Sequence, residues 1–262
     1  MSSLEALLLG AIQGLTEFFP VSSSGHLLML QEILGIREKG ILFEIVVHVA
    51  TLASVLVFYR RRVAYLAHGV LKRDPAAWQY AGKLVLATLP AVVAVVLAGD
   101  FFEAQFESPY VAGVGLLFTG AILWTTRTSI DRASAEEPSW AIALAIGCAQ
   151  VLAILPGVSR SGITVATALL LGVAPVAAAE FSFLMSVIAI AGAAVRSLPG
   201  ITSVDSAHAA ALLVGGVAAM VMGVAAIWLF VRLLRTREFH RFAYYTWAVG
   251  LAFLAWLQLQ GS

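Results

Sequence analysis

Six apolar runs limit what this chain can fold into: Ile41–Tyr59, Gly82–Ala98, Tyr110–Thr126, Val176–Val195, Ala207–Val231 and Phe242–Leu259. A membrane-spanning helix needs about 17–25 mostly apolar residues; most of the runs reach that length, and Gly82–Ala98 sits at its lower limit. Only 12% of the 262 residues are charged and 61% are apolar, against roughly 25% charged in a soluble domain. A chain so poor in charge cannot clothe a water-facing surface, so it reads as an all-α polytopic membrane protein. The net charge of +1 offers no basic footprint for nucleic acid, and Cys148, the single cysteine, excludes an intrachain disulfide. The first basic residue is Arg37, so the chain start lacks the basic region of a cleaved leader and is expected to be retained.

Two further runs, Leu4–Gly35 and Trp140–Gly172, are broken near the middle by "FPVSSSG" and "PGVSRSG". Loop charge orients the spans. "YRRRV" with Lys72 and Arg73 forms one basic loop and "VRLLRTREFHR" another, both expected to be cytoplasmic, whereas the acidic "GDFFEAQFESP" is expected outside. Counting crossings then brings Trp140–Gly172 in and out on the same side. The simplest solution is a re-entrant hairpin of two half-helices buried among other helices, although two short crossings preserve the same parity. The same reasoning lets Leu4–Gly35 dip in from the opposite side. An offset of 137 residues sets Gly10 on Gly147, Gln13 on Gln150, Ser22 on Ser159, Ser24 on Ser161, Gly25 on Gly162 and Gly35 on Gly172. The expected architecture is one transmembrane domain over 1–262, with repeats of about 1–126 and 138–262 in inverted topology. Each repeat holds a re-entrant hairpin (4–35 and 140–172) followed by three spans.

The tips carry the chemistry. Arg160, between Ser159 and Ser161, is costly at membrane depth and stays charged. It could bridge Glu17 or Glu180 as scaffold, but its planar fork suits two phosphate oxygens, and anion binding is the expected role. Helices starting after "SSSG" and "SRSG" would add backbone N–H groups to a phosphate cradle of Ser22, Ser24, Gly25, Ser159, Ser161 and Gly162. On the first tip, Gln13 and Glu17 share a helix face at i,i+4, where Glu17 could hold a divalent cation, accept a proton or orient a donor. His26 could relay a proton and Ser23 could act as a nucleophile if a base activates it. Glu44, His48 and Glu180 are expected to support these groups from behind. The set describes a phosphate-ester or phosphoanhydride site.

The segments "QGLTEFFPVSSSGHL", "HVATLASVLVFYRR", "LPGVSRSGIT" and "EFSFL" together resemble the bacitracin-resistance family of undecaprenyl-diphosphate phosphatases, over essentially the whole chain. The resemblance implies hydrolysis of undecaprenyl diphosphate to undecaprenyl phosphate and inorganic phosphate, recycling the lipid carrier of cell-wall synthesis. It also implies interlocked inverted repeats, a homodimer, Mg2+ or Ca2+ as cofactor, and residence in the bacterial inner membrane. Glu17, Ser23, His26 and Arg160 match the family's catalytic motifs, with Ser159 and Ser161 on its phosphate-binding motif. One departure is Gln13, where some members carry a second glutamate; its amide can bind a metal, with Glu17, but cannot act as a base. Two routes stay open: attack by Ser23 through a phosphoserine with His26 assisting, or direct attack by water activated by His26 or Glu17. Because the first hairpin enters from outside, the site is expected to face the periplasmic side. The rival is a polyprenyl-phosphate flippase or other anion transporter, since broken helices in inverted repeats are also transporter anatomy.

Overall fold

A computed structural model describes residues 2–34, 41–197 and 206–260, which are helical almost throughout. In chain order the helices are α1 (Ser3–Phe18), α2 (Ser23–Leu34), α3 (Ile41–Phe58), α4 (Arg60–Leu71), α5 (Pro75–Gln105) and α6 (Pro109–Thr125). There follow α7 (Trp140–Leu152), α8 (Arg160–Leu170), α9 (Pro175–Ser197), α10 (Ser206–Leu234) and, after the 3-10 turn Phe239–Arg241, α11 (Phe242–Gln260). Local signals set several boundaries. Ser2 and Glu5 form a reciprocal capping box on α1. Asp74 caps α5 ahead of Pro75, and Ser139 caps α7. Helix α1 stops at Phe18 because Phe19 precedes Pro20 and takes an extended conformation (φ −66°, ψ 147°).

Among the described residues, four helical stretches are long and apolar enough to cross a bilayer: Pro75–Gln105, Pro175–Arg196, Ala209–Leu234 and Phe239–Gln260. A fifth candidate is the pair Leu42–Phe58 and Arg60–Leu71, bent by 82°. Helix α6, at 17 residues, is about 26 Å long. The chain is a multi-pass helical membrane protein. Two expectations are corrected. "YRRRV" is not a loop: it opens α4, because arginine, alanine and leucine sustain a helix once α3 has turned at Tyr59. The span expected at Gly82–Ala98 is the middle of a 31-residue helix that runs on through "GDFFEAQ" past a non-helical Ala98. The stretch that the offset sets opposite α4 falls mostly on 198–205, outside the described residues, and so does Gly35, which the offset sets on Gly172.

The two interrupted runs are helix pairs, α1–α2 and α7–α8. Both ends of the second pair lie together: the N–H groups of Ser134 and Ala135 donate to the Gly172 carbonyl at 3.0 Å each, and Ala174 N–H donates to the Ala135 carbonyl at 2.8 Å. The pairs are exchanged between the halves of the chain, with α1 packed on α10 and α7 on α5. These contacts are backbone-close. A Cβ on Gly10 would overlap the Gly215 carbonyl oxygen, and one on Gly147 the Ala87 carbonyl oxygen, the approach that small residues permit between membrane helices. Beneath the tips the fully buried rings of Phe18, Phe183, Phe230 and Phe239 stack edge to face or tilted, with centroids 5.3, 5.4 and 5.9 Å apart in succession. Basic ends gather on one face through the pairs Arg62–Glu180 (2.9 Å), Arg62–Glu137 (3.3 Å), Lys83–Glu137 (3.5 Å) and Arg237–Asp131 (3.1 Å). Arg196 pairs with Glu103 at the far end of α5.

Candidate active site

The two helix breaks meet. At the first, Ser22 adopts a left-handed conformation (φ 67°) and its Oγ accepts the Gly25 N–H at 3.2 Å, opening α2. At the second, Ser159 Oγ accepts the Gly162 N–H at 3.1 Å, opening α8. Ser22 and Ser24 hydroxyls lie 3.2 Å apart, and so do those of Ser159 and Ser161, so the residues paired by the 137-residue offset make the same bonds. The tips are stitched by Ser161 Oγ donating to the Phe19 carbonyl at 3.0 Å. Behind them, Thr119 receives the Ser159 N–H and donates to the Gly157 carbonyl, both at 2.9 Å. Gly157 has φ 86°, and a Cβ there would overlap the Ala112 carbonyl oxygen, so only glycine lets the second tip lie against α6.

Glu17 ends α1 and is 8% exposed. One carboxylate oxygen is paired with Arg160 Nη2; the other accepts from Ser23 Oγ at 2.7 Å and from Gln13 Nε2 at 2.9 Å. Three donors from two sequence regions thus hold one buried carboxylate. Arg160 is less complete. Its Nη1 is buried and has no hydrogen-bond partner, and the same holds for Gln13 Oε1. A buried donor or acceptor left unpaired costs about 1–3 kcal/mol, so each marks a position where a ligand would be stabilised.

Around these groups lies a cavity of about 220 Å3. The first tip supplies Thr16, Glu17, Ser22, Ser23 and Ser24, the second supplies Ala153, Val158, Ser159 and Arg160, and His48 projects from α3. Phe106, past the end of α5, and Ala189, Ile190 and Ala193 of α9 complete the wall. A larger groove of about 470 Å3 adjoins the first tip, lined by Leu15, Phe19, Leu233, Phe242 and Tyr245 among others. It contains none of Glu17, Ser23 or Arg160, so the smaller cavity is the candidate site.

The structure therefore brings together Glu17, Ser22, Ser23, Ser24, Ser159 and Arg160, with Gln13 bonded from behind. It separates others. Glu180 does not reach Arg160: it pairs with Arg62 at 2.9 Å because it lies near the N-terminal end of α9, away from the later turns that line the cavity. Gly25 and Gly162 are not cradle donors, since the cap serines already take their N–H groups, and Ser161 is spent on the Phe19 carbonyl. Glu44 is exposed and outside the cavity wall; its backbone carbonyl accepts from His48 Nδ1 at 2.7 Å. His26 is also outside the wall. Its Nδ1 lies 2.8 Å from the Ser22 carbonyl, which can only accept, so Nδ1 carries the proton. Its Nε2 then accepts from Tyr245 Oη at 2.8 Å, with the two rings stacked. Both nitrogens are therefore engaged within the protein. Thr119 and Tyr245 escaped sequence reasoning because each lies in an ordinary apolar run, with no motif to signal a partner 40 or 219 residues away.

No group of three or more His, Cys, Asp or Glu suited to a metal ion occurs among the described residues. The unpaired Gln13 Oε1 beside Glu17 nonetheless fits a hard cation that keeps water and takes phosphate as its remaining ligands.

Residues 6–252 match the family described as bacitracin resistance protein BacA. The chain is 40% identical to an undecaprenyl-diphosphatase of Carboxydothermus hydrogenoformans, with all of both chains aligned. It is 39% identical to that of Rubrobacter xylanophilus, covering 98% of each chain, and 37% identical to that of Desulfatibacillum aliphaticivorans, covering 97% of this chain and 98% of the relative.

Proposed function

The chain belongs to the bacitracin resistance protein BacA family, and from that premise we propose that it hydrolyses undecaprenyl diphosphate to undecaprenyl phosphate and inorganic phosphate, recycling the carrier lipid for cell-wall synthesis. The observation that carries the reading is the buried, unpartnered Nη1 of Arg160 beside a Ser23 hydroxyl already bonded to Glu17. The terminal phosphate satisfies the free arm of the guanidinium, and a planar fork grips two oxygens better than a point charge would. The unpaired N–H groups at the starts of α2 and α8, together with the tip serines, complete the cradle.

Of the two chemical routes, the geometry favours Ser23. Its Oγ–H already points at Glu17 Oε2 (2.7 Å), so the base is in place before substrate arrives. Ser23 Oγ attacks the terminal phosphorus, the anhydride bond breaks, undecaprenyl phosphate leaves with the electron pair, and Glu17 holds the serine proton. Arg160 stabilises the charge on the transferring group. His26 acts as a positioning residue, through the carbonyl of Ser22. A divalent cation, Mg2+ or Ca2+, held by Glu17 and Gln13 Oε1 would supply charge neutralisation at the phosphates.

The membrane setting is part of the same proposal. Phe106 and the late turns of α9 line the cavity at the end of the molecule away from the basic cluster. With that cluster cytoplasmic, the cavity faces the periplasmic side of a bacterial inner membrane. The paired tips are the remnant of an inverted repeat, and two copies associate as a homodimer. The test is phosphate release from undecaprenyl diphosphate by purified protein in detergent. A hydrolase turns over without a sealed membrane, and Ser23→Ala abolishes that turnover; absence of phosphate release from active preparations, with transport only in vesicles, would favour the flippase instead.

A further inference from the structure

The phosphoserine route needs a second base, because Glu17 keeps the Ser23 proton until the serine leaves again. Three titratable side chains line the cavity: Glu17, Arg160 and His48. Glu17 already carries the proton taken from Ser23, and Arg160 does not deprotonate. His26, the histidine of the tip motif, stands outside the wall with both nitrogens bonded.

His48 is differently placed. Its Nδ1 lies 2.7 Å from the Glu44 carbonyl oxygen, an acceptor only, so the neutral ring carries its proton on Nδ1 and an exposed lone pair on Nε2. Among the described residues nothing bonds that Nε2. The same carbonyl contact fixes the tautomer and the ring plane, as a backbone acceptor does for other catalytic imidazoles.

Building on the phosphatase reading, we propose that His48 is the general base that clears the phosphoserine. In this second step the oxygen of a water bonds to the phosphorus and its proton passes to His48 Nε2. The Ser23 Oγ–P bond breaks, and Ser23 Oγ recovers its proton from Glu17. Inorganic phosphate departs, and His48 releases its proton to the water of the cavity. Atoms and charge balance over the two steps: one water is consumed, and the lipid phosphate, inorganic phosphate and one proton are the products.

The experiment uses undecaprenyl diphosphate labelled with 32P in its terminal phosphate and the full chain in detergent, wild type beside His48→Gln and His48→Ala. Thermal unfolding identifies the variant that keeps the wild-type fold. The expected result is turnover reduced by about 10²–10⁴, KM lowered along with it because the covalent intermediate accumulates, and label retained on Ser23; added imidazole restores turnover to His48→Ala. Turnover within threefold of wild type overturns the proposal, and so does a folded variant that is inactive with no label on Ser23. Failure of the underlying reading looks different: wild-type protein releases no phosphate, or Ser23→Ala turns over normally.

Discussion

Replacing Glu17 by glutamine removes one charge and almost no volume, so it isolates what the carboxylate does. In the wild type the Arg160 side chain is 16% exposed and that of Glu17 is 7% exposed, and each is the other's counter-ion. Removing one member of a buried pair leaves the other uncompensated, at a cost of about 3–5 kcal/mol. The residual exposure of Arg160 argues for the lower figure, about 3 kcal/mol. At about 2–4 °C per kcal/mol for a chain of this size, Glu17→Gln should unfold about 6–12 °C earlier in detergent. The double variant Glu17→Gln/Arg160→Met removes both charges from the apolar surroundings and should recover most of that loss, since uncharged replacements of a buried pair are often neutral or stabilising. Activity should not follow stability: both variants lack the base bonded to Ser23 and should lose about 10²–10⁴ in turnover. Thermal unfolding followed by tryptophan fluorescence, with phosphate release on the same samples, measures both. A double variant no more stable than Glu17→Gln would refute mutual charge compensation. Turnover of Glu17→Gln within threefold of wild type would refute the assignment of the base.

Three further outcomes are expected. Gln13→Glu replaces the amide donor 2.9 Å from Glu17 with a second carboxylate, so the variant should unfold earlier in chelator and regain stability with Mg2+; a melting profile indifferent to Mg2+ would remove Gln13 from any cation site. Gly10→Val drives a branched side chain into the Gly215 carbonyl and should cost at least about 1–3 kcal/mol, seen as an earlier thermal midpoint; wild-type stability would mean that α1 and α10 do not touch there. Glu180→Gln loosens a partly exposed pair with Arg62, worth at most about 1 kcal/mol, and turnover should stay within twofold. A tenfold loss would show that Glu180 acts on the site after all.

What was legible in the sequence was whatever depends on near neighbours along the chain. Helix α1 ends where Pro20 forbids its continuation, the cap serines at positions 22 and 159 open α2 and α8, and long apolar runs become bilayer-length helices because an unpaired backbone is so costly in lipid. Arg160 and Glu17 could be singled out alone, because a charge at membrane depth demands a partner. Their meeting is a tertiary fact, spanning 143 residues.

Tertiary structure also decided which polar groups line the cavity and which bond elsewhere. Glu180 turns to Arg62, and His26 to Tyr245, while His48 and not Glu44 reaches the cavity. The basic stretch after α3 is a helix bent away from it at 82°, a direction that charge pattern alone does not encode. The physical reason is common to all of these. Each residue rotates a helix by about 100°, so which side chain meets the cavity depends on how the helices are turned against one another, and that is settled by close contacts such as Gly10 on Gly215 far away in sequence.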